Sequence, residues 1–328
     1  MIILLKNGLS KDDAQVIVDH LLDGELGGHP SHGFYRIPGI VNAVKKAGSP
    51  SEIRFEQETS NSALLNGSKR QGLVVALKAA EVAISKARVS NIVVVGAYNY
   101  AGTTGSMGYF TRRIANANLI GIMLANSEAS TPAWGGMQPI FGTNPISISI
   151  PSNEEPIVID LATSKWAYGD IALAIKEGRS IPEGIVLDKK GNPSTDPNDA
   201  NYCMLPFGEH KGYALALAFE ILAGPLVRAK AGAMAVPGSD GSLIIAINPS
   251  TFASIDQFKL QVSSLINEIK NSKRLPGVNE LFYPGEQSQR NRVKNRHATH
   301  IDMVEQILED VKALAADESS KVVGPSYY

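Results

Sequence analysis

The sequence predicts an α/β protein with helical ends and a strand-rich middle. Apolar residues recur at helical spacing at both ends, with Ala14, Ile17, Val18 and Leu21 on one face near the start and Val304, Ile307, Leu308, Val311 and Leu314 near the finish. Between them lie short β-branched runs such as residues 91–95. A glycine-rich loop over 96–108 follows that run and leads into another helical stretch.

In chain order, the first helix opens at Ser10, with Asp13 at the capping-box position, and stops at Gly24. A second covers 37–47 and is closed by Gly48-Ser49-Pro50. Residues 53–59 and 63–66 read as short strands, and 71–88 as a helix through Val74, Leu77, Val82 and Ile84. The strand at 91–95, the glycine loop, a helix ending near Asn116 and a strand over 119–125 make one βαβ-like unit. Strands follow at 146–150 and 157–160, helices at 168–177 and 213–222, and a strand at 243–247. Phe258, Val262, Leu265, Ile266 and Ile269 mark one further amphipathic helix before the last, and the tail over 317–328 is expected to fray. No internal repeat or low-complexity tract interrupts the series.

With 328 residues, 44% hydrophobic and 19% charged, the chain can bury a sizeable core in two domains. The net charge of −1, spread along the chain, gives no electrostatic footprint for nucleic acid or a membrane surface, so a small-molecule ligand is favoured. The single cysteine, Cys203, excludes an internal disulfide or thiolate cluster and suits a reducing compartment, so the cytoplasm is expected. The apolar run at the N-terminus is too short for a signal peptide. The longest apolar stretch, 212–227, is broken by Glu220 and Pro225, falls short of the roughly 20 residues of a membrane span, and reads as a buried helix.

Ser31-His32-Gly33-Phe34-Tyr35-Arg36 places a proton-transfer group and a guanidinium within one turn-rich segment. Histidine exchanges a proton near neutral pH and an arginine fork holds a carboxylate in register, which are parts needed to reduce a keto acid or oxidise a hydroxy acid beside a hydride carrier. The alternative is a surface loop with two ordinary polar residues. Gly102, Gly105 and Gly108 fall as G-x-x-G-x-x-G, which suits phosphate at a helix N-terminus or, equally, tight packing. It is not the Rossmann fingerprint, and Asn126-Ser127 stand where that fingerprint's acidic residue is wanted. The pairs His29/His32 and His297/His300 lack a third ligand, so no metal is expected. The basic run over 290–300 reads as a solvated helix start, or as a phosphate contact.

A series of short motifs occurs in register from Ser31 to Glu286: Ser31-His32-Gly33 with Arg36, Trp134-Gly135-Gly136, Gly142-Thr143-Asn144-Pro145, Asp160-Leu161-Ala162-Thr163-Ser164, Ile181-Pro182-Glu183-Gly184, His210-Lys211-Gly212-Tyr213 and Pro284-Gly285-Glu286. In this the chain resembles the malate/L-lactate dehydrogenase type 2 family of NAD(P)-dependent oxidoreductases. The resemblance implies a non-Rossmann α/β fold, with a mixed, largely antiparallel sheet domain and a helical domain built from both ends of the chain. On this sequence the helical domain is 1–50 with 255–328, and the nucleotide-binding domain is 51–254 with a helical insertion at about 164–235. A homodimer with its active site near the interface is also implied.

The resemblance implies further that His32 is the proton donor, with Ser31 beside it, and that Arg36 clamps the substrate carboxylate. Asn144, Asp160, Leu161, Ala162, Thr163, Ser164, His210, Lys211, Gly212, Gly285 and Glu286 fall in segments that contact NADP or NAD. Lys211 brings positive charge to a helix N-terminus, where it either faces an anion or merely caps the helix. One position departs from the pattern: where many members carry Asn-His-Phe-Gly, this chain has Asn99-Tyr100-Ala101-Gly102. A phenol is a poor base at neutral pH but a usable hydrogen-bond donor, or Tyr100 only packs beside the loop. The implied activity is hydride transfer between NAD(P)H and a 2-oxo or cyclic 2-imino carboxylate, giving the 2-hydroxy or amino acid, with reduction favoured. A member that binds nucleotide with little or no turnover is the alternative.

Overall fold

The structure, a computed structural model, describes residues 1–316 except Tyr202 and Asp302; the expected fraying of 317–328 lies outside the described residues. Its helices are α1 (Ile2–Lys6), α2 (Lys11–Leu26), α3 (Ile37–Ala47), α4 (Gly72–Ser90), α5 (Gly108–Asn116), α6 (Tyr168–Lys176), α7 (His210–Ala223), α8 (Ile255–Asn271), α9 (Glu286–Asn295) and α10 (Glu305–Ala315). A seven-stranded sheet contains β1 (Arg54–Glu58), β2 (Ser62–Asn66), β3 (Ile92–Tyr98), β4 (Ile120–Ala125), β7 (Ile146–Ile150), β8 (Ile157–Leu161) and β11 (Gly241–Ile247). Two small two-stranded pairs stand apart: β5 (Thr131–Pro132) with β6 (Pro139–Phe141), and β9 (Val186–Leu187) with β10 (Pro193–Ser194).

The sheet order is β1-β2-β3-β11-β4-β7-β8, and only β2 and β3 pair in parallel. This is the mixed, mostly antiparallel sheet that was expected. The βαβ-like unit read over 91–125 takes a different form, because β11 lies between β3 and β4 and runs antiparallel to both. The adjacent βαβ unit is instead β2-α4-β3, whose second strand arrives parallel after the α4 crossover. That strand is also longer than its β-branched run: Gly96 stays in register with Leu243, and a Cβ there would meet Val227 Cγ1 at 2.7 Å. The run over 96–98 is therefore strand, and the loop begins at Asn99.

Side chains alternate across the sheet. Leu65, Val93, Val95, Met123 and Ile244 enter the large core with α2, α4 and α5, whereas Leu64, Leu124 and Leu243 join Phe219, Ala223 and Val227 under α7. Each such fully buried side chain is worth about 1.5–3 kcal/mol. Ser10 Oγ accepts from Asp13 N, as the capping position requires, but α2 continues beyond Gly24 to Leu26. There Gly24 lies close against the His32 carbonyl, so the glycine serves the contact rather than a helix stop. The run over 212–227 is no buried helix. α7 ends at Ala223, sets Ala216 and Phe219 on the sheet, and leaves Leu215, Leu217 and Ile221 at 40%, 40% and 51% exposure. The helix is apolar around its whole circumference, and one sheet face covers only one side of it.

Both chain ends meet around α2. α9 packs on α2, and α10 on α1 and α3. Asp23 joins them, accepting from Arg292 Nε and NH2 at 3.0 and 2.9 Å and from Arg112 of α5. Two cations of the basic run are engaged, Arg290 with Glu280 and Glu286 and Arg292 with Asp23, while Lys294, Arg296, His297 and His300 are exposed. Among the described residues no helix is long and apolar enough to cross a membrane.

Candidate active site

The segment after α2 folds as two short 3-10 turns, Pro30–His32 and Phe34–Arg36, between α2 and α3. Gly33 is required there because the Glu25 side chain lies against its α-carbon while Glu25 Oε1 accepts from Phe34 N at 2.7 Å. This wedge fixes the direction of His32 and Arg36. Both line a cavity of about 530 Å³, which also contacts the loop 102–106, the end of β4 with residues 126–130, the end of β8 and the start of α6. Ser31 is buried and its Oγ lies 3.1 Å from His32 Nδ1. Burial, reinforced by Arg36, His20 and His29, holds His32 well below the usual imidazole range. Its ring is therefore neutral at neutral pH.

Behind this wall, His20 is fully buried and its Nε2 lies 3.1 Å from the Ser106 carbonyl oxygen. Burial lowers its pKa to about 4, so it is neutral and can donate to that carbonyl. A Cβ on Gly105, which has φ +61°, would stand 2.5 Å from the His20 ring, so glycine meets both the backbone and the packing demand. The N-terminus of α5 is taken by the protein itself: Asp160 Oδ2 accepts from Gly108 N at 2.7 Å and Ser106 Oγ at 3.0 Å. Of the two uses read for the G-x-x-G-x-x-G turn, this arrangement provides packing and an internal carboxylate cap. Desolvation in the cavity wall nevertheless raises Asp160 to about 6 against these donors.

Residues 1–312 match the family of malate/L-lactate dehydrogenases. The chain belongs to that family. It is 38% identical over 318 residues to the malate/(S)-sulfolactate dehydrogenase of Methanothermus fervidus, covering 94% of this chain and 92% of that one. It is 31% identical over 306 residues to the ureidoglycolate dehydrogenase (NAD(+)) of Escherichia coli O157:H7, covering 90% and 86%. The solved sulfolactate dehydrogenase of Methanocaldococcus jannaschii superposes with a TM-score of 0.86 at 36% identity, over 96% of this chain and 93% of that one. The protein is an oxidoreductase.

Within this malate/L-lactate dehydrogenase family member, Ser31, His32, Arg36, Asp160, Leu161 and Ala162 meet at one cavity. Thr163 and Ser164 lie buried beneath it, their hydroxyls donating to the Thr143 and Trp166 carbonyls. Asn144 is buried with φ +34°, and its Nδ2 donates to Ala216 O and Glu220 Oε2, so its side chain anchors α7 while Thr143 and Pro145 face the cavity. His210 and Lys211 are exposed at the start of α7, outside the lining, and Gly212 is buried behind them. Gly285 packs on the Val158 backbone with φ +88°, and Glu286 is bound to Lys270 and Arg290, both away from the cavity. Tyr100 is in the core: its ring packs by Gly72, and the groups acting on its hydroxyl are Asp240 and Ser242. Burial raises that phenol well above its ordinary value.

Sequence reasoning passed over three acids of the lining, Glu128, Asp170 and Asp240, and took His29 only as half of a histidine pair. Of these, Asp240 carried a faint signal, an acid within Gly-Ser-Asp-Gly just before a strand. Among the described residues no group of three or more His, Cys, Asp or Glu could hold a metal ion.

Proposed function

We propose that the cavity interconverts a 2-oxo, or cyclic 2-imino, carboxylate and its 2-hydroxy, or amino, acid by hydride transfer with NADP or NAD. The supporting observation is the joint placement of His32 and Arg36 on one wall, with Ser31 fixing the ring. A volume of about 530 Å³ fits a nicotinamide beside a small acid, and the lining by Gly102, Thr103, Ser127, Thr143 and Ala162 lets backbone groups approach it closely. When bound, the cofactor supplies or takes the hydride. Arg36 orients the substrate carboxylate. Ser31 Oγ engages His32 Nδ1, so Nε2 is the ring nitrogen left for the substrate, taking the proton of the hydroxyl or amine in oxidation and returning it from the protonated ring in reduction.

Reduction was favoured from sequence because Tyr100 stood in place of a base. With Tyr100 in the core, neutral His32 suits the base of oxidation, and reduction draws on its protonated form, which grows as pH falls. The test is a panel of 2-oxo acids and cyclic imines offered with NADPH and NADH. Oxidation of the nucleotide by at least one member is expected, and none across the panel would contradict the reading.

We propose also the division into a helical unit, 1–50 with 255–328, and a sheet unit, 51–254 with its insertion at about 164–235. The packing of α9 and α10 on α1, α2 and α3 supports it. The uncovered Leu215, Leu217 and Ile221 support a homodimer through α7. The fold is proposed to bind nucleotide in a non-Rossmann manner, with a single parallel strand pair as support, and a cytoplasmic location is proposed from the lone cysteine.

A further inference from the structure

The cavity wall formed by the start of β11 carries a carboxyl group that the reading above leaves without a task. Asp240 lines the cavity but is only 5% exposed, and its Oδ1 is buried with no hydrogen-bond partner among the described residues. Unpartnered buried polar atoms are rare and unfavourable by about 1–3 kcal/mol, so such an atom beside a cavity is one that a ligand can satisfy. Its backbone is rigidly placed. Gly241 N donates to Asn126 Oδ1 at 2.8 Å, and Gly241 and Ser242 are in register with Tyr98 on β3 and Ala125 on β4.

We propose that the Asp240 carboxyl is a second hydrogen-bond donor of the active site, acting on the substrate's C2 oxygen or nitrogen from the sheet side while His32 acts from the helical side. The inference rests on the cavity being the site of reduction. As the C2 double bond accepts hydride from the reduced nicotinamide, its electron pair moves onto the heteroatom, which takes the Nε2 proton of His32 in its protonated form and leaves the ring neutral. Asp240 keeps its own proton throughout and stabilises the charge that develops there.

The surroundings keep that donor in its acid form. Burial comes first, and the charges bearing on Asp240 are those of Glu128, after β4, and Glu220, on α7; together they push it well above the ordinary carboxylate range. The Tyr100 hydroxyl also faces it from the loop after β3. The basic groups of the same lining are the Arg36 cation and the imidazoles of His29 and His32, all of the N-terminal segment. An ionised Asp240 would offer only acceptors to an oxygen that needs a donor.

Asp240→Asn keeps a donor that does not titrate, and Asp240→Leu removes it. With saturating NADH or NADPH, oxamate binding is measured by calorimetry from mildly acidic to alkaline pH, alongside reduction of the best panel substrate. Wild type should lose oxamate affinity on the alkaline side while Asp240→Asn does not. Asp240→Leu should bind oxamate about tenfold more weakly and reduce ~10²-fold more slowly, with NADPH fluorescence titration unchanged. The inference is overturned if wild type does not bind oxamate, if Asp240→Leu behaves as wild type, or if Asp240→Asn falls as far as Asp240→Leu. Should Asp240→Leu not fold, the alkaline contrast between wild type and Asp240→Asn decides. Oxamate binding without turnover on any substrate would count against the proposed reaction while leaving the donor testable by affinity.

Discussion

Asp160 and Asp240 line one cavity, but Asp160 is exposed into it whereas Asp240 is only 5% exposed, and the donors around the two differ as well. Asp160, at the end of β8, accepts from Gly108 N and Ser106 Oγ at the start of α5. Asp240, at the start of β11, has an Oδ1 with no donor among the described residues and two acids near it. Desolvation in the cavity wall raises both, but donors hold Asp160 to about 6 while Asp240, which is buried, goes well above its ordinary value. At neutral pH the first is an anion with its bonds made inside the protein, and the second is an acid with a bond to give. Location in a cavity therefore does not assign a role; the count of donors around the oxygen does.

The largest expected effect falls on His32, which shares the cavity with both acids. His32→Ala should lower turnover by ~10²- to 10⁴-fold with little change in NADPH affinity, since it removes proton exchange and leaves both carboxyls in place. Stopped-flow single turnovers read this directly, and an unchanged rate would reduce His32 to a packing residue.

Asp160→Asn sharpens the contrast through stability. The folded pKa of about 6 lies above the unfolded value, so this group's contribution is fully present below pH ~4 and is lost as pH rises through about 6. Asp160→Asn should lack that part of the pH dependence in urea titrations between pH ~4 and 7, an effect that solvent around the exposed carboxylate keeps small. Parallel curves for the two proteins would mean that Asp160 is ionised with an ordinary pKa.

Arg36→Lys keeps the charge facing the two acids but loses the planar fork, and should raise KM for the carboxylate substrate about tenfold with kcat less affected. An unchanged KM would place the substrate carboxylate elsewhere. The smallest effect is expected for Tyr100→Phe, within about twofold in both reaction directions, because the hydroxyl lies outside the cavity lining. A large loss in either direction would return Tyr100 to the chemistry.

The same contrast explains what could be read in the sequence. Apolar spacing gave helices such as α3 and α10 nearly to their ends, since each buries one periodic face, whereas β7 buries Ser147 and Ser149 and leaves its isoleucines only partly covered. It could not give strand order, because the insertion of β11 between β3 and β4 depends on pairing across more than a hundred residues. Nor could it tell that α7 covers only one side of its apolar surface. His32 and Arg36 were legible because Ser-His-Gly and an arginine four residues on sit in one local segment. Asp240 was not, since its character comes from Glu128, Glu220 and a missing donor, all contributed by distant segments. Gly285 and Glu286 looked like ligand contacts, and the structure gives them a strand backbone and an ion-pair cluster.

The most direct measurement is infrared difference spectroscopy of wild type against Asp240→Asn and Asp160→Asn as a function of pH. At neutral pH, Asp240→Asn should remove a carboxylic-acid C=O band, whereas Asp160→Asn should remove a carboxylate band that converts to the acid form only below about 6. If Asp240→Asn instead removes a carboxylate band at neutral pH, the two acids do not differ in ionisation, and Asp240 cannot act as a donor.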